Sequence, residues 1–367
     1  MNVLANDADS PSRPGGLAPA SRRGSELPPA ERIAVVVNGN AKSVTQEVIS
    51  TLDQILLGGD LFVSRRLEDA AEIAKTLVSR GYGTVLTGGG DGTFTVMVSE
   101  VVREGRKQGK PLPRFGLLKL GTGNALAWVV GARDAKSGEL AADIERLTRD
   151  AGSRDVRLIE VEGFIAPFCG LGADADVLAD YNKVKSQLSG TPLKRVAAGP
   201  LSYAIAAVTR SIPSYLLRRM PHCRIVNQGG EAFRVGAKGA RLGQPISRGS
   251  VIYEGPMRLC ALATIPYYGY GFRMFPFAEE RPDRMHLRVA TISPLTFVRR
   301  FPEIWRGEYD NPEVLFDYLV DSVSIELDPA SDFQIGGDSR GKRSKVEIIL
   351  SPTPIRLVDF YAPPSSQ

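Results

Sequence analysis

The chain has 367 residues, 46 basic and 41 acidic side chains, a formal net charge of +5 and a pI near 9.1. With 43% hydrophobic and 24% charged residues, collagen-like, coiled-coil and wholly disordered chains are excluded, and the length suits two domains. No segment offers the roughly 20 uninterrupted apolar residues of a spanning helix; the longest greasy run, Val196 to Val208, is broken by Gly, Pro and Ser. The N-terminus carries acids where a secretory signal would carry Lys or Arg before an apolar stretch. Cys169, Cys223 and Cys260 lie far apart in no metal-ligand spacing, and the only histidines are His222 and His286. These features favour a cytoplasmic protein with free thiols and disfavour a histidine-based zinc site. The mild basicity is compatible with an anionic membrane surface, nucleic acid or a phosphorylated ligand. Without aromatic-basic interleaving, nucleic acid is not the expected partner.

Residues 1–30, rich in Pro, Ser, Ala and Gly, read as a disordered tail. A buried parallel strand is then expected at Ile33 to Val37, followed by a helix with Val48, Ile49, Leu52, Ile55 and Leu56 on one face. A short strand at Leu61 to Val63 precedes a second helix with Ala70, Ile73, Ala74, Leu77 and Val78 inward. Val85-Leu86 forms a third strand, and Phe94, Met97, Val98, Val101 and Val102 repeat the helical spacing. A fourth strand, Arg114 to Leu118, leads to a helix over Ala125 to Val130. This alternation predicts an α/β domain over 31–150 with a doubly wound parallel sheet, whose ligands bind beyond the carboxyl ends of the strands.

After residue 150 the pattern becomes strand-like segments with Gly and Pro turns: Asp155 to Val161, Cys223 to Val226, Met257 to Ile265, Leu287 to Ile292, Val323 to Leu327 and Lys345 to Leu350. They predict a mostly antiparallel β domain over 151–353, with a helical insertion near Pro200 to Leu217. Residues 354–367 form a C-terminal segment free to return to the first domain.

The strongest chemical signal is Thr87-Gly88-Gly89-Gly90-Asp91-Gly92-Thr93, between a buried strand and an amphipathic helix. Its glycines let a phosphate approach the backbone, and the helix N-terminus beyond offers unpaired N–H groups. A carboxylate there would repel a bare anion, so Asp91 suits Mg²⁺ binding or proton acceptance, or else simple helix capping. Gly121-Thr122-Gly123-Asn124 is a second turn of the same kind, and Asn38-Gly39-Asn40-Ala41-Lys42 ends the first strand with amides and a cation. The Walker ending Gly-Lys-Ser/Thr is missing, so a nucleotide would be held differently from a P-loop enzyme.

Gly89-Gly90-Asp91-Gly92-Thr93 resembles the signature of the diacylglycerol kinase catalytic domain superfamily, which includes bacterial lipid kinases, sphingosine kinases and ceramide kinases. The resemblance covers most of residues 31 to 361. Asn38-Gly39-Asn40-Ala41 is similar to the family's first loop, with Gly39 in place of Pro. Gly121 to Ala127 is similar to the sphingosine kinase form of the second loop. The resemblance implies a nucleotide site made of Asn38, Asn40, Lys42, Gly88, Gly89, Gly90, Gly92, Thr93, Gly121, Thr122, Gly123 and Asn124, with ATP and Mg²⁺ as cofactors.

The resemblance also makes the second domain lipid-binding. Asp174 and Asp176, in Gly172 to Asp176, are implied as head-group contacts, and Gly199 to Tyr203 is similar to a family helix start. That helix ends near Arg218-Arg219, which with its apolar stripe offers a reversible contact with a membrane surface. Ile335-Gly336-Gly337-Asp338 falls where the family has Asp-Gly-Glu, so Asp338 is the second catalytic candidate beside Asp91, and Asp91, with the intact motif, is the favoured one. Pro282-Asp283 replaces an Asp-Gly associated with a structural metal in some members, so no metal is assigned there and Asp283 reads as a turn residue.

The resulting expectation is an ATP-dependent lipid kinase of peripheral membrane habit. Its acceptor is tilted toward a sphingoid base or ceramide, with diacylglycerol or monoacylglycerol as the alternative, and a non-catalytic lipid-binding module as the alternative of another class. NAD kinases share the glycine signature but not, in this chain, their downstream motif.

Overall fold

The computed structural model describes residues 28, 31–41, 44–55, 60–120, 124–132, 152–173, 220–269 and 271–361. The proposed tail apart from Pro28, the helical insertion with Arg218 and Arg219, Lys42, Gly121, Thr122, Gly123, Asp174 and Asp176 lie outside them.

In chain order the first part runs β1 (Ile33–Asn38), α1 (Gln46–Ile55), β2 (Asp60–Ser64), α2 (Leu67–Arg80), β3 (Thr84–Gly89), α3 (Asp91–Gln108), β4 (Arg114–Lys119) and α4 (Ala125–Val130). The second part contains β5 (Ser153–Val156), β6 (Ile159–Val161), β7 (Phe164–Ala166), β8 (Phe168–Gly172), β9 (His222–Asn227), β10 (Ala232–Val235), β11 (Arg241–Ile246), β12 (Val251–Pro256), β13 (Leu259–Ala263) and β14 (Met285–Ala290). It continues with α5 (Pro294–Arg299), α6 (Phe301–Trp305), β15 (Leu315–Val320), β16 (Ser322–Ile335), β17 (Asp338–Leu350) and β18 (Ile355–Val358).

Ala34 to Val37 are wholly buried, as expected for a strand covered by helices on both faces. Around them the first sheet has the order β2-β1-β3-β4-β18-β5, with β2, β1, β3, β4 and β18 parallel and β5 antiparallel at the edge. The helices cover it with the predicted faces: Ala70, Ile73, Ala74, Leu77 and Val78 of α2, and Phe94, Met97, Val98, Val101 and Val102 of α3, are buried. Asp69 fixes the start of α2 by accepting from Arg65 N and Arg66 N at 2.9 and 3.0 Å.

The remaining strands build an antiparallel sheet, ordered β11-β10-β15-β14-β13-β8-β16-β17-β6-β7 with β9 and β12 alongside β16. The expected strand Asp155 to Val161 is two strands in two sheets, since β5 pairs with β18 while β6 pairs with β17. Both β5 and β18 thus lie in the first sheet, although the elements alternate differently beyond residue 150. The segments at Val323 and Lys345 are parts of one long hairpin whose tip is Gly336-Gly337.

Helix α3 joins the two layers. Ser99 Oγ donates to Thr95 O at 2.6 Å and accepts from Ile165 N of β7 at 2.8 Å. Arg106 adds two hydrogen bonds to Glu160, both 3.1 Å. The apolar core under the parallel sheet runs on into Phe168, Ala261, Ala263 and Phe275 of the β domain, so the hairpin tip is carried on a base packed against the first domain.

Candidate active site

Strands β1, β3 and β4 are neighbours, and the register sets Val37 beside Gly88 and Gly89 beside Lys119. Their carboxyl ends therefore deliver three loops to one edge, where a doubly wound sheet binds ligands. Asn38 joins the first loop to the glycine-rich one: its Nδ2 donates to Thr93 Oγ1 at 3.2 Å, while its Oδ1 accepts from Asn40 N at 2.9 Å. Asn40 turns away, donating through Nδ2 to Arg65 O at 2.6 Å. It shapes the loop rather than facing the crevice.

The glycines allow close approach of side chains already present. A Cβ on Gly88 would lie 2.8 Å from both Leu120 and Val37, and one on Gly89 would overlap Thr93. Gly90 is the extended N-cap of α3, so Asp91 is the first residue of that helix and does not cap it. Its carboxylate caps a different helix: Oδ2 accepts from Ala125 N at 2.8 Å and Oδ1 from Leu126 N at 3.3 Å. These are the first amides of α4, which begins after Asn124 in a left-handed conformation. Asp91 is thereby the tie between the glycine-rich loop and the second loop. Burial drives its pKa up to about 6, against the pull of the backbone donors, and the charge of Asp338 adds to the rise.

Asp338 reaches this place from the far end of the chain. At the tip of the β16–β17 hairpin, Gly336 and Gly337 both have positive φ, 57° and 85°, the conformation of a two-residue hairpin turn. Gly336 N donates to Phe168 O at 2.9 Å, and Gly337 N donates to Gln334 Oε1 at 2.8 Å. Gln334, wholly buried, donates in turn to the Tyr268 hydroxyl at 3.0 Å. The turn is thus fixed, and it presses Asp338 onto α3, where a Cβ on Gly92 would lie 2.6 Å from Asp338 Oδ2. The Asp338 side chain stays half exposed, at 53%. Its surroundings nevertheless raise its pKa by desolvation, opposed by Arg340.

Several contributors were not legible as motifs. Arg340 Nη2 lies 3.8 Å from Asp338 Oδ2, and its guanidinium stacks 4.1 Å from the Phe164 ring. Its Nε and Nη2 are buried without a hydrogen-bond partner among the described residues. The period of two along a strand puts residues 338 and 340 on one face, which is the sequence signal for this pair. Thr95 is the other: a Cβ on Gly336 would overlap its hydroxyl, so Thr95 occupies the space that any side chain at 336 would need. Asp283 takes no part, being paired with Arg281 and Arg284 at 2.7 and 2.9 Å.

The fold and site define a class: a doubly wound sheet whose strand-end crevice is closed by a hairpin from an antiparallel domain. Residues 32–161 match the family model of the diacylglycerol kinase catalytic domain. A crystal structure of a candidate diacylglycerol kinase from Bacillus anthracis str. Sterne aligns at TM-score 0.64 with 15% identity, over 90% of this chain and 97% of that one. A further structure, of a diacylglycerol kinase from the same strain, aligns at TM-score 0.57 with 15% identity and the same coverage. These likenesses establish the two-domain fold. An NAD kinase from Archaeoglobus fulgidus in complex with ATP aligns at TM-score 0.46 with 11% identity, over 90% of this chain and 94% of that one, and at that distance carries no inference about ligands. No curated protein matches the sequence.

Proposed function

We propose that the protein is an ATP-dependent lipid kinase that transfers the γ-phosphoryl group to a hydroxyl of a long-chain lipid, working in the cytoplasm at a membrane surface. One observation carries this reading: Asp338 is pressed onto Gly92 at the edge where the loops after β1, β3 and β4 meet, with Asp91 holding two of those loops together. Phosphoryl transfer asks mainly for positioning, for neutralised phosphate charge and for a base.

The backbone of Gly88, Gly89 and Gly90 and the N-terminal amides of α3 would receive the phosphates. Asn38, by fixing Thr93, keeps that loop in shape. Gly121, Thr122 and Gly123 complete the nucleotide site from the second loop. Both Asp91 oxygens already accept backbone N–H groups, so the proton of the attacking hydroxyl falls to Asp338, which is half exposed and raised in pKa. Its raised basicity favours proton uptake. Arg340, with unspent N–H groups beside it, positions Asp338 and offers positive charge to the transferring phosphoryl.

Mg²⁺, when bound, would neutralise charge developing on the phosphates. This ion takes one or two carboxylates and otherwise phosphates and water, and Asp91, each of whose oxygens keeps a second lone pair, fits that pattern while Asp338 stays free for the proton. Among the described residues no group of three His, Cys, Asp or Glu side chains offers an all-protein site.

A sphingoid base or ceramide is the acceptor we favour, since the Gly121 to Ala127 loop has the sphingosine kinase form and Asp174 and Asp176 would match a cationic amine. Transfer of labelled phosphate from ATP to sphingoid base, ceramide, diacylglycerol and monoacylglycerol tests the reading. Labelling of one lipid supports it and names the acceptor; labelling of the glycerolipids alone overturns the sphingoid preference. Silence across the set would leave lipid binding without turnover.

A further inference from the structure

Helices α5 and α6 form a short corner on the β domain. Ser293 Oγ accepts from Thr296 N at 3.1 Å, and Pro294 and Pro302 stand at the first and second positions of the two helices, so the corner is locally fixed. It is also anchored: Arg273 N donates to Trp305 O at 2.9 Å, and Phe272 stacks on Trp305 at 5.2 Å and 12°. Yet its outer face is apolar. Leu295 is 69% exposed, Val298 50% and Phe301 39%, with Phe301 resting on Trp305 at 5.4 Å.

The greasy face does not stop at the corner. A methyl group on Gly271, next to Phe272, would touch the Trp128 ring at 3.6 Å. Trp128 is itself exposed, lies 6.2 Å from the Tyr267 ring, and borders a cavity of about 450 Å³ shared with Lys119, Phe360 and the exposed Tyr361. Of the nine large hydrophobic side chains exposed among the described residues, five belong to this track, so it is a continuous patch rather than ordinary scatter. Both tryptophans of the chain are in it.

The rim is basic. Lys119 lies 5.0 Å from the Trp128 ring centroid, Arg273 and Arg299 are exposed, and Arg299 makes no ion pair among the described residues. Arg300 and Arg306 carry one carboxylate partner each, Glu303 and Glu308. Lysine and arginine side chains beside exposed Trp, Tyr, Phe and Leu are the chemistry of the headgroup layer of an anionic bilayer. There aromatic rings prefer the interface, apolar side chains enter the acyl boundary, and Lys and Arg meet lipid phosphate.

We propose that the α5–α6 corner and the Trp128 track are the face by which this protein rests on an anionic lipid surface. This places the contact on described residues of both domains. It deepens the lipid-kinase reading and rests on it only for the use of the contact. Trp128 is on α4, the helix whose first amides Asp91 holds, so binding by this face sets the nucleotide crevice beside the bilayer.

The test uses the full chain and vesicles of phosphatidylcholine with or without phosphatidylglycerol. Tryptophan emission should shift to the blue, and brominated acyl chains should quench it, with the anionic vesicles and weakly or not at all with the neutral ones. Leu295→Asp with Val298→Asp, and separately Arg299→Glu, should each weaken partitioning about tenfold or more. Their turnover of a short-chain, monomeric lipid acceptor should stay unchanged. Partitioning of both variants equal to wild type, or pelleting with unaltered tryptophan emission, would overturn the assignment. So would a wild-type dimer that the variants dissociate, without any vesicle binding, since the face would then serve a second copy of the chain. Vesicle binding lost in the variants, with no lipid ever phosphorylated by wild type, would uphold the surface and reject the kinase reading.

Discussion

Replacing Asp91 by Asn keeps the shape of the side chain and removes its charge, and the consequence for stability depends on pH in a direction the structure fixes. The carboxyl is raised from 3.8 to about 6, chiefly by burial. At about 1.4 kcal/mol per pH unit this gap corresponds to about 3 kcal/mol. Below about pH 4 the group holds its proton in both the folded and the unfolded chain. Between about pH 4 and about pH 6 the unfolded chain ionises while the folded one keeps its proton, so this residue makes stability fall as pH rises, and the loss levels off above about pH 6. The amide has no such titration. It can still accept from Ala125 N, but its NH₂ then faces Leu126 N–H, a cost of about 1–3 kcal/mol at every pH. Asp91→Asn should therefore be the less stable protein at pH 4, and the gap should close by up to about 3 kcal/mol by pH 7. Urea melts of both proteins at several pH values, followed by tryptophan emission, measure this directly. A stability difference equal at pH 4 and pH 7 would refute the burial argument. Turnover should be lost in the variant throughout.

Four further substitutions probe how the hairpin meets α3 and what holds the β domain. Gly92→Ala should fold at least as stably, since Ala is worth about 0.5–1 kcal/mol over Gly inside a helix. Its methyl would nevertheless meet Asp338 at 2.6 Å, so turnover should fall more than about tenfold; normal turnover with a normal melt would detach Asp338 from the site. Gly336→Asp should destabilise by about 1–3 kcal/mol because its Cβ overlaps the Thr95 hydroxyl. Thr95→Ala should recover part of this in a double-mutant cycle by urea melts, whereas strict additivity would deny the contact. Asp317 is buried against Arg288, at 2.7 Å, and His286, at 2.9 Å, and these neighbours hold its carboxyl far below the ordinary range despite burial. Asp317→Asn should cost about 3–5 kcal/mol at pH 7. Because the folded pKa is depressed, that contribution is present above about pH 4 and drains away as pH falls below it. The melts should converge in acid, and a gap that stays constant would exclude the ion pair as its cause.

The parallel sheet was legible because its strands are runs such as Ile33 to Val37 and its helices bury residues at regular intervals, both local properties of the chain. The three loops at the strand ends followed from that order, as neighbouring parallel strands must end on the same edge. The identity of Asp91's partners was not legible. A carboxylate at the first position of a helix reads as a cap for that helix, and only the packing of α4 beside it turns the oxygens toward Ala125 and Leu126. The Asp338 hairpin lay in the altered Gly336-Gly337-Asp338 segment, and nothing local shows that Thr95, 241 positions away, packs against Gly336. The long antiparallel strands were read too short because polar stretches such as Gly341 to Ser344 are exposed and break the alternation. Helices α5 and α6 escaped notice because their apolar residues face outward, so no buried stripe marks them.

The central claim is that Asp338, brought over Gly92 by the hairpin, is the base of a lipid kinase. The most direct measurement is the rate of phosphate transfer from labelled ATP to the preferred lipid by wild type and by Asp338→Asn, alongside their urea midpoints. A fall of about 10²–10⁴-fold in turnover with an unchanged midpoint is predicted. Equal rates in the two proteins would contradict the claim.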